Sequence, residues 1–310
     1  MSTDSKSSTS VSSSVPPPSN SIVLVTGANK GIGYEIVRLS AIRNPKWTIL
    51  LGSRSRENGE IAINKLKNLG LNNIKFHLLD IDNDESIENS VENIKILYGK
   101  LDIVIHNAAI LYPEFSFSNT KKILNTNYFQ TVKFHNKILP IITPQTGRII
   151  VVSSIVGTWA QYTSPKDLQN TLTKSDLTVE EIDTLARAYV ESTNGEKNFP
   201  QKEKFPTQNP QTFHAVPYGQ SKQFLNAWVR VTAPIVAKQG ISLINTCPGY
   251  CSTDMTAFAG SATRTPETGA KSILFALEHG IQDSGKQFQD NILLPVASKI
   301  PKEFGGTDEE

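Results

Sequence analysis

Short apolar runs alternate along the chain with longer segments whose apolar side chains recur every three or four positions. The apolar runs cover residues 21–27, 47–53, 74–80, 101–109, 147–154 and 241–249. Continuous apolar runs of this length indicate strands buried on both faces, and the segments between them have the period of amphipathic helices. Repeated strand–helix units with right-handed crossovers predict a doubly wound parallel sheet. We therefore expect a single α/β domain over residues 21–300.

A segment at about 157–217 interrupts this alternation. A loop of that length without structure of its own would be unusual in a compact domain. Thr178 and Glu181 are spaced as a capping box, and the apolar residues that come next fall on one helical face. Those residues are Val179, Ile182, Leu185, Ala186 and Tyr189. We predict a helical insertion that lies on the domain, because the apolar content of the segment is too low for a separate domain.

Both ends of the chain differ in composition from the region between them. Residues 1–20 are rich in serine and contain three consecutive prolines near their end. We expect a disordered tail, because such a segment buries too little apolar surface to offset the entropy lost on ordering. An organelle transit peptide is the alternative, and the lack of arginine and the presence of Asp4 argue against it. Residues 301–310 are expected to form a polar C-terminal tail.

The overall composition limits the classes of partner. Charged residues make up 19% of the chain, and the net charge is +2 without a basic block. This balance gives no electrostatic reason to expect nucleic acid or an anionic membrane, and no apolar run approaches a membrane span. Cys247 and Cys251 are the only cysteines, so we expect a reducing, cytoplasmic setting. The five histidines show no metal-ligand spacing, and we predict no metal site.

A glycine-rich turn, TGANKGIG, follows the first predicted strand and opens the first predicted helix. Gly27, Gly31 and Gly33 allow a tight turn and a close approach of the backbone to a pyrophosphate, which would face a helix N-terminus. Asn29 and Lys30 lie between these glycines. An ordinary strand–helix turn is the alternative. The position directly after the first strand favours a dinucleotide site.

The residues about twenty positions further along bear on the choice of nicotinamide cofactor. Arg54 lies there, and no carboxylate precedes Glu57, which should already belong to the next helix. The Arg54 guanidinium is placed to pair with the 2′-phosphate of NADP(H), and Lys30 adds a second positive charge. We therefore predict NADP(H) as the cofactor. The alternative is that Arg54 only caps the strand in solvent.

Five short motifs occur together in one order: TGANKGIG, HNAA at 106–109, SS at 153–154, YGQSK at 218–222 and CPG at 247–249. In this order the chain resembles the short-chain dehydrogenase/reductase family, from about residue 22 to about residue 295. The basic residue in NKGIG and the long insertion before YGQSK resemble the monomeric carbonyl reductase subgroup. That subgroup includes menthone-type and salutaridine-type reductases. The resemblance implies a Rossmann fold that binds a nicotinamide cofactor.

The resemblance also implies roles for individual residues. The catalytic tetrad would be Asn127, Ser154, Tyr218 and Lys222. The cofactor would be contacted by Gly27, Ile32 and Gly33 at the pyrophosphate, Asp80 and Ile81 at the adenine, Asn107 near the adenosine ribose, Tyr218 and Lys222 near the nicotinamide ribose, and Pro248, Gly249, Cys251 and Thr253 around the nicotinamide. Ala109 departs from the family, which usually has glycine there, so the backbone path near the cofactor stays open.

Two segments carry the Tyr-x-x-x-Lys pattern. A catalytic pair must lie at positions i and i+4 of a helix so that both side chains share a face. Tyr162 and Lys166 have Pro165 between them, which removes a helical hydrogen bond and clashes with the preceding turn. Tyr218 and Lys222 instead lead into a long apolar helical pattern. We assign the chemistry to Tyr218 and Lys222.

The implied reaction is the reduction of a small-molecule ketone, aldehyde or quinone to an alcohol. Ser154 and Tyr218 would bind the carbonyl oxygen, and Tyr218 would donate the proton. Lys222 would lower the pKa of the phenol, and Asn127 would hold a water through which the tyrosine regains its proton. Two alternatives stay open: an NADP(H)-binding sensor or regulatory module without turnover, and an NAD-dependent alcohol dehydrogenase.

Aromatic side chains suggest the character of the substrate cleft. Tyr112, Trp159, Tyr162 and Tyr250 predict an apolar cleft lined by aromatic rings. By resemblance, the insertion covers the surface through which oligomeric relatives associate, which implies a monomer. The identity of the carbonyl substrate does not follow from the sequence.

Overall fold

The computed structural model of the chain describes residues 17–195, 204–205, 217–258, 260, 262–304 and 306. Within them the strands are β1 (Ile22–Val25), β2 (Thr48–Ser53), β3 (Ile74–Leu78), β4 (Ile103–His106), β5 (Arg148–Val152), β6 (Ser242–Thr246), β7 (Gln287–Gln289) and β8 (Ile292–Leu293). They form one sheet in the order β3-β2-β1-β4-β5-β6-β7-β8, which is parallel except for the β7–β8 pair. The predicted doubly wound sheet and its six strands β1–β6 are confirmed.

Helices cover both faces of the sheet. They are α1 (Gly31–Arg43), α2 (Arg56–Asn68), α3 (Asp84–Tyr98), α4 (Phe117–Leu124), α5 (Thr131–Ile138), α6 (Ile155–Thr163), α7 (Lys166–Thr173), α8 (Val179–Ser192), α9 (Pro217–Ala237) and α10 (Pro266–Leu274). A π-helical turn, Asn125–Gln130, joins α4 to α5. Short 3-10 turns occupy Leu139–Ile141, Phe275–Glu278, Ile281–Asp283 and Lys302–Phe304. None of the helices in the described ranges is long and apolar enough to cross a membrane.

The alternation of side chains along the strands divides the core into two layers. Leu24 of β1 belongs to the layer that contains Ile94 of α3 and Trp228 of α9. Val25 belongs to the opposite layer, with Ile36 of α1. This division is the one expected for a parallel sheet with helices on both faces.

The pairing of β1 determines where a ligand can bind. Val23 of β1 lies in register with Ile49 of β2 on one side and with Ile103 of β4 on the other. The chain therefore winds outward in both directions from β1 and β4. In open α/β sheets a crevice forms at the carboxyl ends of the strands where the winding reverses.

The segment between β5 and α9 contributes α6, α7 and α8. Thr178 caps α8, and its side chain and that of Glu181 make the reciprocal bonds of a capping box. The α8 helix packs on α9 through the rings of Tyr189 and Phe224, which are 6.3 Å apart. Pro165 separates α6 from α7, as the sequence indicates. The remainder of the predicted insertion, at 196–203 and 206–216, lies outside the described residues.

The boundaries of the two tails differ from those expected. Residues 17–20 form a turn in which the Pro18 carbonyl accepts hydrogen bonds from Trp47 Nε1 at 3.0 Å and Ser21 Oγ at 2.7 Å. The 3-10 turn at 302–304 likewise places the Phe304 ring 5.2 Å from that of Trp159. A short proline run and one phenylalanine provide too weak a pattern to indicate these contacts. The rest of both predicted tails, residues 1–16 and 307–310, lies outside the described part of the chain.

Candidate active site

A cleft of about 450 Å³ opens at the carboxyl ends of the central strands. The predicted site residues that line it are Gly27, Asn29, Lys30, Gly31, Ile32, Gly33, Arg54, Asp80, Ile81, Asn107, Tyr218, Lys222, Pro248 and Thr253. Other lining residues include Asp82, Ala109, Ile110, Thr126, Ser153 and Met255. The cleft thus extends from the glycine-rich turn to the Tyr-x-x-x-Lys pair.

The glycine-rich turn forms one end of the cleft. Gly27 and Gly31 have φ values of +62° and +58°, which side chains other than glycine adopt only with strain. A Cβ on Gly33 would lie 2.5 Å from Asn107 Nδ2 and 2.6 Å from the Gly27 oxygen. No residue other than glycine fits at Gly33 without displacing this backbone. The glycines therefore allow the turn to pack tightly against Asn107 and Ala108 while its residues line the cleft.

Asn107 and Thr26 hold the turn against the end of β4. Asn107 Nδ2 donates to the carbonyl oxygens of Thr26 at 2.9 Å and Gly27 at 3.1 Å. The Thr26 hydroxyl accepts from the backbone nitrogens of Asn107 and Ala108 at 3.0 and 2.9 Å. The amide nitrogen of Asn107 is therefore engaged by the turn, and its predicted contact with the adenosine ribose would have to use its other atoms. Ala109 fits beside this network on the wall of the cleft.

The N-terminus of α1 suits an anion. The helix begins at Gly31, its first turn contains no acidic residue, and Lys30 at the N-cap makes no side-chain capping bond. The first backbone N–H groups of a helix have no partner within the helix and carry partial positive charge. On the wall of the cleft, these groups fit the pyrophosphate of a dinucleotide.

Two cationic side chains, Lys30 in the glycine-rich turn and Arg54 after β2, lie on the wall of the cleft. Arg54 is exposed at the end of β2, and among the described residues no carboxylate pairs with it. Lys30 Nζ lies 2.8 Å from Asp254 Oδ2, and both side chains are largely exposed. The Lys30–Asp254 pair joins the glycine-rich turn to the loop after β6, which the sequence did not indicate. Arg56, two residues beyond Arg54, pairs instead with Glu60 at 3.3 Å.

Three of the four predicted catalytic residues meet at the other end of the cleft. Tyr218 lies in the first turn of α9, and hydrogen bonding from Ser154, the N-cap of α6, lowers the pKa of its phenol. Lys222 lies one turn further along α9, with Nζ 5.5 Å from the centroid of the Tyr218 ring. Lys222 Nζ donates to the Val152 carbonyl at 2.9 Å. Gln287 of β7 fixes the Ser154 carbonyl at 3.1 Å.

Asn127, the fourth predicted catalytic residue, lies in the π-helical turn, and its side chain contacts α9. Its Oδ1 accepts from the backbone nitrogen of Ile110 at 2.8 Å, and its Nδ2 donates to the Ile110 oxygen at 2.9 Å. The same Nδ2 lies 3.1 Å from Ser221 Oγ, which in turn donates to the Tyr218 carbonyl. Asn127 therefore links the loop after β4 to the first turn of α9. Asp82 supports the π-helical turn by accepting a hydrogen bond from the hydroxyl of Thr126, the residue before Asn127.

Burial dominates the protonation equilibria of the pair. Burial raises the pKa of the Tyr218 phenol, Cys247 raises it further, and the bond from Ser154 lowers it. Burial lowers the pKa of Lys222 to about 8. The lowering of the phenol pKa that we expected from Lys222 is not found, because Lys222 is not among the groups that shift it, and desolvation disfavours the charged form of both groups.

Gly249 and Cys251 lie outside the wall of the cleft, contrary to expectation. Cys251 is 2% exposed, and its thiol bonds the Pro248 carbonyl at 3.4 Å under Gly269. Gly249 has a φ of +74° and packs against Arg264. The Cys251 thiol is therefore not placed beside a nicotinamide. The loop turns back toward Arg264 after Pro248, a direction that residue spacing alone does not reveal.

The prediction that four aromatic residues line the cleft is wrong: none of them is on its wall, and they separate into two groups. Tyr112 lies under Lys122, whose Nζ is 5.7 Å from its ring centroid, and Tyr162 stands 36% exposed at the end of α6. The rings of Trp159 and Tyr250 instead both lie next to the ring of Phe304, near the C-terminus. Within the described residues, no group of three His, Cys, Asp or Glu side chains could hold a metal ion.

Comparisons with known proteins agree with this geometry. A family model described as short chain dehydrogenase matches residues 21–181, which is more than half of the chain. The chain belongs to the short-chain dehydrogenase/reductase family. It is accordingly an oxidoreductase that acts on carbonyl or CH–OH groups.

The family contains relatives of similar length. Carbonyl reductase [NADPH] 1 of Mus musculus is 34% identical over 266 residues, covering 83% of this chain and 90% of that protein. Its counterpart of Homo sapiens is 34% identical over 263 residues, covering 82% and 89%. Salutaridine reductase of Papaver somniferum has a similar structure, with a TM-score of 0.75, 25% identity and coverage of 87% of this chain and 99% of that chain. Menthone neomenthol reductase of Mentha piperita, with a TM-score of 0.70 and 22% identity, shares the fold over the same fractions.

The buried Lys222 predicts a measurable pH dependence of stability. Between pH 8 and the ordinary lysine value of 10.5 the unfolded chain binds more protons at this residue than the folded protein. The cost of the buried charge is fully present below pH 8 and is relieved as the pH rises. Relative to Lys222→Met, the free energy of unfolding should rise by roughly 2 kcal/mol between about pH 7.5 and about pH 9.5. Urea titrations at several pH values measure this, and parallel curves for the two proteins would contradict it.

Proposed function

We propose that the protein reduces the carbonyl group of a small-molecule ketone, aldehyde or quinone to an alcohol with NADPH. The observation that carries this proposal is the pair of Tyr218 and Lys222 on the wall of the cleft, with Lys222 Nζ 5.5 Å from the phenol ring and Ser154 lowering the pKa of the phenol. Relatives 34% identical to this chain are named as NADPH carbonyl reductases, which supports the same reaction here.

The choice of NADPH rests on charge at the end of β2. Arg54 is exposed on the wall of the cleft without an acidic partner among the described residues. A guanidinium suits the geometry of a phosphate, whereas an NAD site would have a carboxylate for the ribose 2′-hydroxyl. Lys30 adds a second cation on the same wall, although its ammonium group also forms an ion pair with Asp254. We therefore assign the 2′-phosphate to Arg54 and Lys30.

The catalytic side chains act on the carbonyl oxygen. A bound nicotinamide would supply the hydride that the carbonyl carbon accepts. Negative charge would then grow on the oxygen, and the hydroxyls of Ser154 and Tyr218 would donate hydrogen bonds to it. Tyr218 transfers its proton to that oxygen, which completes the alcohol. The raised phenol pKa means that Tyr218 holds this proton until the oxygen becomes basic.

Lys222 then stabilises the phenolate that remains. With a pKa of about 8, the lysine carries its charge in most molecules at neutral pH. Its Nζ is buried and lies 5.5 Å from the ring centroid, so the charge interaction is stronger there than in solvent. The Val152 carbonyl keeps the ammonium in position. The water held by Asn127, through which the tyrosine would regain its proton, stays a prediction from the family resemblance.

Two other activities fit less well. A sensor module without turnover would have no use for the hydroxyl pair, and this chain retains all four tetrad residues, with Asn127 bound into the first turn of α9. An NAD-dependent alcohol dehydrogenase would gain nothing from Arg54 at the end of β2. Titration of the protein fluorescence with NADPH and with NADH separates the second alternative from the proposal.

We further propose that the protein is a cytoplasmic monomer. The α8 helix lies over α4, the π-helical turn and α9, where Tyr128 Oη donates to Asp183 Oδ1 at 2.8 Å. Arg187 of the same helix stacks over the Phe129 ring at 4.6 Å. A second copy would have to displace these contacts to associate through this face. Light scattering that gives twice the chain mass would contradict the monomer.

Replacing the phenol tests the chemistry. Tyr218→Phe removes the proton donor, and we expect NADPH oxidation to fall about 100-fold to 10,000-fold with aromatic aldehydes, diketones or quinones. NADPH binding should remain, because the phenyl ring keeps the packing. Tyr162→Phe is the matched control, since it alters the other Tyr-x-x-x-Lys segment, and should retain full activity. A Tyr218→Phe protein as active as the wild type would contradict the assignment.

Replacing the guanidinium of Arg54 tests the preference for NADPH over NADH. Arg54→Gln should weaken NADPH binding by about tenfold to a hundredfold through loss of a charge-assisted phosphate bond, and leave NADH binding nearly unchanged. Arg56→Gln provides the control, because Arg56 pairs with Glu60 outside the cleft. Fluorescence titrations with both dinucleotides measure the effect. An equal loss for NADPH and NADH in Arg54→Gln would show that Arg54 does not contact the phosphate.

A further inference from the structure

The loop after β6 contacts the glycine-rich turn at the cleft. Asp254 Oδ2 lies 2.8 Å from Lys30 Nζ, and a Cβ on Gly31 would lie 3.6 Å from the methyl carbon of Thr253. Residues of both segments line the cleft. We call residues 252–256 the β6 loop. The ion pair therefore lies at the end of the cleft to which we assign the phosphates of the dinucleotide.

The β6 loop has hydrogen bonds of its own that hold its shape. Thr256 N donates to the Thr253 carbonyl at 3.0 Å, and Thr253 N donates to the Thr256 hydroxyl at 3.0 Å. At the start of the loop, Ser252 N donates to the Arg264 carbonyl at 2.8 Å. Asp254 lies between the two threonines, so these bonds hold its backbone independently of the ion pair. Its carboxylate is therefore kept near the glycine-rich turn even when the lysine binds another anion.

A stronger anion can displace Asp254 from Lys30. The two side chains are 78% and 67% exposed, and exposed ion pairs are weak because water and salt screen them. The hydrogen bond from Lys30 lowers the pKa of the Asp254 carboxyl, so the carboxylate is charged at neutral pH. A phosphate monoester carries nearly two negative charges at that pH. It therefore attracts Lys30 more strongly than a single carboxylate does.

Arg54 favours the phosphate in this competition. Its guanidinium lies on the wall of the cleft, and among the described residues no carboxylate pairs with it. A phosphate bound there would meet both cations, whereas Asp254 pairs with Lys30. NADPH would therefore have to break the ion pair to gain Lys30. NADH has no 2′-phosphate and would leave the pair intact.

We infer that Asp254 is a specificity-determining residue that competes with the 2′-phosphate of the cofactor for Lys30 and so weakens the binding of NADP(H) but not of NAD(H). The inference rests on the proposed assignment of the 2′-phosphate to Arg54 and Lys30. The reduced and the oxidised cofactor are affected alike, because the 2′-phosphate takes no part in the hydride transfer. Asp254 thereby favours the release of NADP⁺, after which Lys30 pairs with the carboxylate again.

Removing the carboxylate tests this competition. Asp254→Asn should tighten the binding of 2′,5′-ADP, which carries the 2′-phosphate, by about twofold to fivefold, the range of an exposed ion pair. The affinity for 5′-AMP, which lacks that phosphate, should change by less than about 1.5-fold. Isothermal titration calorimetry measures both affinities without turnover. Glu88→Gln is the matched control that should alter neither affinity, because it removes one negative charge from an exposed ion pair that is not on the wall of the cleft.

A double-mutant cycle shows whether the effect acts through Lys30. In a Lys30→Gln background, Asp254→Asn should tighten 2′,5′-ADP binding much less than it does in the wild-type background, because the carboxylate no longer occupies the lysine. The gain from Asp254→Asn should also shrink in about 0.5 M NaCl, since salt screens exposed charges. An equal gain with and without Lys30 would overturn the competition for this lysine.

The same titrations separate failure of the inference from failure of the proposed function. A wild type that prefers 2′,5′-ADP to 5′-AMP, with the preference unchanged in Asp254→Asn, would overturn the inference alone. Equal losses of both affinities in Asp254→Asn would also overturn it, because they would show that the ion pair only supports the glycine-rich turn. A wild type that binds the two nucleotides equally well would contradict the phosphate site itself, and with it both the proposed NADPH preference and the inference.

Discussion

Burial of the Lys222 ammonium is tolerated only because the Val152 carbonyl, at the end of β5, accepts a hydrogen bond from it at 2.9 Å. A buried charge without a partner would cost several kcal/mol. This bond attaches the first turns of α9 to β5, and β5 runs directly into Ser154. The position of Tyr218 against Ser154 therefore follows from where Lys222 must place its charge. The helix continues into the core through large apolar side chains, so the packing of one whole layer supports this alignment.

The two ends of the cleft are joined through the strands that form its floor. Thr26 at the end of β1 and Asn107 at the end of β4 hold the glycine-rich turn by mutual hydrogen bonds. Three residues beyond Asn107, the Ile110 backbone is held by Asn127, which also contacts the first turn of α9. Two sets of hydrogen bonds, joined by the backbone from Asn107 to Ile110, thus connect the glycine-rich turn with the helix of Tyr218. Such a set favours a cleft whose two ends keep a constant separation.

Local patterns were sufficient to predict the features that depend on neighbouring residues. The six long strands, the break at Pro165 and the capping box of α8 each follow from a few adjacent positions. The sequence did not indicate contacts that depend on a distant segment, such as the Phe304 ring against Trp159 or the fixing of the Ser154 carbonyl from β7. The strand β8 has only two residues, which is too short for an alternating pattern to be recognised in the sequence. The raised pKa of Tyr218 could not be predicted because it depends on burial in the assembled fold.

The π-helical turn at Asn125–Gln130 has a consequence for how this chain can vary. An α-helix advances by about 100° per residue, so the removal of a single residue from the turn would rotate the α5 helix by roughly that angle relative to α4. Asn127 would then lose either Ile110 or Ser221, because the three are aligned by the present number of residues. Substitutions on the outer side of the turn leave this alignment intact, whereas a deletion or insertion of one residue does not. The length of this stretch is therefore under tighter constraint than its composition.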